Sequence, residues 1–279
     1  MIKRLELWAI LALLFIPVMV MAAASEEAAK ETTELSEASP DQPPADNSLS
    51  FLSDLDTPPF AFVENFKNTG FEIDLGEAIG KELGRPVKWV KQSFNIPAFA
   101  STLASGRVDA VLSSMTITDA RKQYFDFTRP YFRTSLAVAA PRDVDWNSQN
   151  FKNGLSSKVR VGVLRRSTGE EWARKNLKAT RKTYNTPDRL ARALKNREVG
   201  IILIDKPILI WTMANRHYKF KIVEEDLDHQ DYGIGVSKSN QELLSELNSA
   251  LEKLDADGVY DSIYEKWYSI SQDLPKLGK

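Results

Sequence analysis

The chain has 279 residues, enough for one large core or two medium ones, and its 43% hydrophobic and 27% charged residues set it apart from disordered proteins. A formal charge of −1 gives no global attraction to nucleic acid or to an anionic membrane, so charge has to be read locally. The absence of cysteine excludes disulfides, thiolate catalysis and cysteine–zinc sites, and the only histidines, His217 and His229, argue against a histidine metal site or triad. No cofactor is expected.

Residues 1–24 read as an export segment. Lys3 and Arg4 form a basic start, Leu7 to Ala24 is an unbroken apolar run, and Ala22-Ala23-Ala24 before Ser25 supplies a small-residue cleavage pattern. The run is also roughly long enough to span a bilayer, so cleavage near Ala24 and retention as an anchor both stand. Residues 25–48 are acidic, proline-bearing and almost free of large apolar side chains. Such a stretch buries too little surface to offset its ordering entropy and is expected to be a disordered linker.

From Leu49 onward strand-like and helix-like segments alternate. Leu49 to Ser53 is a short strand, and Phe71 to Leu83 carries apolar residues at helical spacing up to Gly84. Val87 to Val90, Pro97 to Ala104 and Val108 to Leu112 continue as strand, helix and strand. A second unit starts at Val159 to Val163, followed by a capping box of Thr168 and Glu171 and a helix capped at Thr186-Pro187. Val199 to Ile204 is an apolar strand closing on Asp205, with a helix from Pro207 to Ala214. Tyr232 to Val236 is a last strand, and a Ser239–Glu242 capping box opens two C-terminal helices. This rhythm predicts an α/β fold with two mostly parallel sheets flanked by helices.

In open α/β sheets ligands bind beyond the carboxyl ends of the strands, near helix N-termini. Three places there combine suitable groups. Ser113-Ser114-Met115-Thr116 leads to Arg121, whose planar guanidinium suits a carboxylate. Ser167-Thr168-Gly169 offers N–H donors at a helix start. Asp205 at the mouth of a buried strand needs a partner, which a ligand ammonium would supply. Each has an ordinary explanation, as a solvated arginine or a helix cap; together they favour capture of a zwitterion.

Gly106-Arg107-Val108-Asp109-Ala110, Met115-Thr116-Ile117-Thr118, Arg121 and Phe127-Thr128-Arg129-Pro130-Tyr131, in this order and spacing, closely resemble the family 3 extracellular solute-binding proteins. The likeness extends over Leu49 to Ser269, with Asp54, Pro59-Phe60, Gly70 to Leu75, Tyr232-Gly233-Ile234, Gly258-Val259-Tyr260 and Lys266-Trp267. It implies a periplasmic-binding-protein-like fold of two lobes joined by two crossing strands. Lobe one would take residues 49–139 and 234–270, lobe two 140–233, with 271–279 a tail. It also implies a monomeric periplasmic receptor for an amino acid or related carboxylate, serving an ABC transporter permease.

By that resemblance Arg121, Thr116 and the backbone at Ser114 would hold the ligand carboxylate, Thr168 and Gly169 would add contacts, and Asp205 with Asp54 would hold its ammonium. Thr57 stands where the family places an aromatic, and the second sandwich aromatic falls near Ile96; either Phe94 or Phe60 compensates, or the pocket suits a smaller or more polar side chain. Arg165-Arg166 replaces a usual glycine, and a pocket-facing Arg166 would favour an acidic ligand. A dehydratase acting on prephenate-like acids and an anchored sensor remain the alternatives; the first needs a raised-pKa acid, for which Glu170 and Glu171 sit near the right region.

Overall fold

The computed structural model describes residues 47–268 apart from 153, 154, 156, 157 and 217. The export segment and most of the acidic linker lie outside the described residues.

The first part of the chain builds β1 (Leu49–Ser53), β2 (Asp56–Thr57), β3 (Ala61–Glu64), β4 (Lys67–Thr69), α1 (Phe71–Glu82), β5 (Val87–Lys91), α2 (Ile96–Ala104), β6 (Ala110–Val111), α3 (Asp119–Lys122) and β7 (Asp126–Phe127). Next come β8 (Phe132–Pro141), α4 (Ser148–Lys152), β9 (Arg160–Leu164), α5 (Thr168–Asn176), β10 (Thr180–Tyr184), α6 (Pro187–Lys195), β11 (Ile201–Asp205), α7 (Lys206–Arg216) and β12 (Phe220–Tyr232). The chain closes with β13 (Gly235–Val236), α8 (Gln241–Ala256) and α9 (Val259–Tyr268).

Two five-stranded sheets result, ordered β5-β1-β6-β13-β7 and β10-β9-β11-β8-β12, with a small antiparallel sheet β2-β3-β4 beside the first. Among the central strands β11 is buried on both faces, which is why it reads as a continuous apolar run. In β1, Leu49 and Phe51 pack with Leu75 and Ile79 of α1, while Leu52 faces Phe99 and Leu103 of α2. In β11, Ile202 and Ile204 join Leu190 of α6, while Ile201 and Leu203 join Ala173 of α5. Each sheet is thus a helix–sheet–helix layer, and the molecule has two α/β lobes.

Two strands pass between them. β8 pairs antiparallel with β11 and with β12, and β12 then runs through Tyr232 into β13 of the first sheet. Leu136 to Ala139 pair with β11, so the second sheet begins inside the stretch expected in lobe one. At the crossover Phe60 is fully buried, its ring 4.9 Å from Phe132 and 5.3 Å from Tyr232. Gly70 makes this approach possible: at φ 131° it brings α1 so close that a Cβ would lie 2.0 Å from the Phe60 carbonyl oxygen.

Several local expectations shift. The cap of α5 is Ser167, which accepts from Glu170 N–H, not Thr168; the Glu170 carboxylate turns back to Arg166 N–H at 2.6 Å. The cap of α8 is Asn240, accepting from Leu243 N–H at 3.1 Å, not Ser239. In both cases the side chain nearest the helix start has the geometry to reach the orphan donor. The strand expected over Val108 to Leu112 forms ladder pairs only at Ala110 and Val111.

Candidate functional site

The carboxyl ends of β1, β6, β9 and β11 converge on one cavity of about 500 Å³ including its mouth. Asp54, Thr57, Phe94, Ser114, Thr116, Arg121, Thr168 and Asp205 all line it. Phe60 and Gly169 are not among its lining residues. Phe60 is consumed by the aromatic core, and Gly169 packs against β11, where a Cβ would meet the Leu203 carbonyl at 3.4 Å. Of the two aromatics expected to compensate for Thr57 and Ile96, Phe94 therefore reaches the cavity and Phe60 does not.

Arg121 is buried, although the short helix α3 would by itself leave an arginine in water. Thr118 caps α3 by accepting from Arg121 N–H, which turns the side chain inward beneath the 113–116 loop. There Nη1 donates to the Thr116 carbonyl at 3.0 Å, and the guanidinium carbon stands 5.4 Å from the Phe94 ring centroid. A guanidinium carries five N–H donors. Among the described residues the Thr116 carbonyl is the one acceptor its side chain meets. Burial pulls its pKa down from the ordinary value, opposed by Asp205, Glu171 and Tyr232.

Asp205 ends β11 and is also buried. Tyr232 donates its hydroxyl to Oδ1 at 2.7 Å. Burial pushes the carboxyl up, against the Tyr232 hydrogen bond, its own backbone and Arg121. Arg121 and Asp205 feel each other's charge, yet no ion pair within 4 Å joins them. A buried cation with spare donors thus faces a buried anion across a gap, an arrangement completed by a molecule carrying the opposite pair of charges.

The first lobe's wall is fixed from below. Asp54 accepts from the Thr57 hydroxyl at 2.7 Å and gives its own N–H to Ser113 Oγ at 3.1 Å. Burial raises its pKa to about 6, despite the Thr57 and Asp56 hydrogen bonds. Glu72, fully buried on α1, accepts from Ser114 N–H at 2.7 Å, Ser114 Oγ at 3.1 Å and the Tyr131 hydroxyl at 2.5 Å. Burial raises it to about 7, against the Tyr131 and Ser114 hydrogen bonds. Ser114 sits at φ 45°, a left-handed conformation that these bonds hold in place. Its N–H is therefore engaged, so the backbone at Ser114, expected on the ligand carboxylate, has only its carbonyl left, which suits a donor instead.

On the second lobe Arg165, not Arg166, lines the cavity, from an exposed position at its rim. Arg166 is exposed at φ 63° with its N–H on Glu170. Glu170 is occupied by that turn and Glu171 is exposed, so neither lines the cavity. Sequence reasoning missed Asn185, Pro187, Ile208, Tyr232 and, just outside, the buried Gln230. Asn185 directly follows β10, so the rule of searching beyond strand ends would have found it had that polar edge strand been recognised.

The chain is 27% identical over 218 residues to the L-cystine-binding protein TcyJ of Escherichia coli strain K12, covering 76% of this chain and 79% of that protein. It is 32% identical over 225 residues to the L-arginine-binding protein of Pseudomonas aeruginosa, covering 76% and 84%. An ancestral arginine-binding protein bound to arginine matches in structure with a TM-score of 0.71 at 34% identity, over 80% of this chain and 98% of that one. The ancestral amino acid-binding protein AncCDT-1, a precursor of cyclohexadienyl dehydratase, gives 0.73 at 29% identity, over 80% and 96%. Residues 49–270 match one family throughout, and the chain belongs to the bacterial extracellular solute-binding proteins, family 3.

Proposed function

We propose that this protein is an exported, periplasmic receptor that captures an α-amino acid between its lobes and passes it to an ABC transporter permease. The observation that carries this reading is the unpaired confrontation of Arg121 and Asp205 in the cavity. A ligand carboxylate takes the spare guanidinium donors, and its ammonium takes the Asp205 oxygen that Tyr232 leaves open. Asp54, Thr57, Phe94, Ser114, Thr116 and Thr168 complete the surround, and the protein works as a monomer. Relatives named for cystine and arginine binding support the ligand class. Closure follows because ligand contacts on both lobes exist together only in the closed form. Thermal unfolding against the standard amino acids tests this: a ligand of the folded state raises the melting temperature, and a flat response across the panel contradicts it.

A second reading, a dehydratase acting on prephenate-like acids, has one observation in its favour. Asp54 lines the cavity with a pKa raised to about 6, suited to a general acid. Incubation with prephenate or arogenate separates the readings, since only an enzyme releases aromatic product.

A further inference from the structure

Gln230 is buried near the end of β12, the second of the strands that cross between the lobes, and takes no part in lining the cavity. Its Oε1 accepts two hydrogen bonds: from the Thr116 hydroxyl at 3.0 Å and from the Thr168 hydroxyl at 2.9 Å. Thr116 belongs to the first lobe, in the loop after β6. Thr168 opens α5 of the second. One buried oxygen therefore joins the lobes at the floor of the cleft. Its orientation is fixed from the other side, because Nε2 donates to Asp228 Oδ2 at 3.1 Å and a carboxylate only accepts. Two residues along, on the same face of the strand, Tyr232 makes the parallel contact to Asp205.

We propose that Gln230 is the closing latch of the clamp, holding the lobes together through Thr116 and Thr168. The latch consists of protein atoms alone, so it biases the open–closed equilibrium before any ligand arrives. Opening pulls at least one hydroxyl off the shared oxygen, and water can replace it only once the cleft has parted. The latch also sets the polarity of the site. Each threonine has a single hydroxyl proton, and with both on Gln230 the oxygens present lone pairs to the cavity. In the latched form the ligand carboxylate is thus left to Arg121, while the two threonines suit donors such as an ammonium. This inference rests on the binding reading for its consequence, but the latch itself is measured without a ligand.

The chain has no cysteine, so Ser93→Cys and Arg189→Cys, at exposed positions of opposite lobes beside Phe94 and Pro187, accept a pair of spin labels without background. Distances are recorded by double electron–electron resonance on protein stripped of bound ligand by unfolding, dialysis and refolding. Removing the acceptor with Gln230→Met is expected to lower the closed-to-open ratio roughly tenfold, the loss of two modest hydrogen bonds. Thr168→Val should shift it in the same direction and add little on top of Gln230→Met. Gln230→Glu combined with Asp228→Asn, which keeps an acceptor oxygen at this position, should restore the closed population. Indistinguishable distributions in folded wild type and Gln230→Met overturn the latch, as does an unchanged distribution in Thr168→Val, which carries the test if Gln230→Met fails to fold. A latch intact by these distances in a protein that binds no amino acid would refute the function and leave the latch standing.

Discussion

Arg121→Met separates ligand recognition from fold stability more sharply than any other single change. The substitution keeps an unbranched apolar stem at the buried position but removes the charge, all the side-chain N–H donors and the guanidinium that stands over the Phe94 ring. For binding, a ligand carboxylate would enter a water-poor cavity with its partner gone. Losing one member of a buried, hydrogen-bonded charge pair costs about 2–5 kcal/mol. At about 1.4 kcal/mol per decade, Kd should rise roughly 30-fold to several thousand-fold. For folding the terms nearly cancel. The Thr116 carbonyl loses its 3.0 Å donor, while the chain is relieved of a desolvated cation that no ion pair within 4 Å compensates. The free energy of unfolding should therefore stay within about 1 kcal/mol of wild type. Isothermal titration calorimetry with the amino acid found by thermal shift, beside urea unfolding without ligand, reads the two quantities separately. Wild-type affinity in the folded variant would refute the role of Arg121. A collapse in stability would mean that its charge serves the fold.

Asp205→Asn keeps an acceptor for the Tyr232 hydroxyl but removes the negative charge; calorimetry should show affinity for an α-amino acid falling at least about tenfold, and no change would remove Asp205 from the site. Glu72 titrates near 7 in the folded chain against an ordinary 4.5. Between about pH 4.5 and 7 the folded state holds a proton that the unfolded state has released, so this group's contribution falls as pH rises, by about 3 kcal/mol in all. Glu72→Gln should flatten that slope in urea titrations taken from pH 4.5 to 8; an identical slope would show that Glu72 does not titrate in this range. Phe60→Ala should cost about 3–5 kcal/mol in urea unfolding because it opens a hole in the aromatic core at the crossover, and a loss below 1 kcal/mol would contradict that packing.

What could be read from the sequence follows from how each element meets solvent. β11 is buried on both faces and stands out as an apolar run, and the cap at Thr186 acts locally. β10, Thr-Arg-Lys-Thr-Tyr, is a polar edge strand with no such signal. β12 is harder still: three register shifts against β8 break its alternation, and Asp226 and Asp228 sit at positive φ. The crossing strands therefore entered only through family resemblance. Within the site, Arg121 and Asp205 were legible because a charge beside a buried strand end demands a partner. Gln230 was not, since an amide in an acidic stretch looks solvated until the fold brings Thr116 and Thr168 to it. Phe60 illustrates the converse: a sequence neighbour of cavity residues whose ring the core claims.

In the proposed function Arg121 and Asp205 hold the two charged ends of one small molecule. A crystal structure of the protein with the amino acid selected by thermal shift would show both contacts at once. The ligand carboxylate is expected within hydrogen-bonding distance of the Arg121 guanidinium and its ammonium on the Asp205 carboxylate, with Phe94 alongside. A ligand bound elsewhere, or one that contacts neither charge, would contradict it.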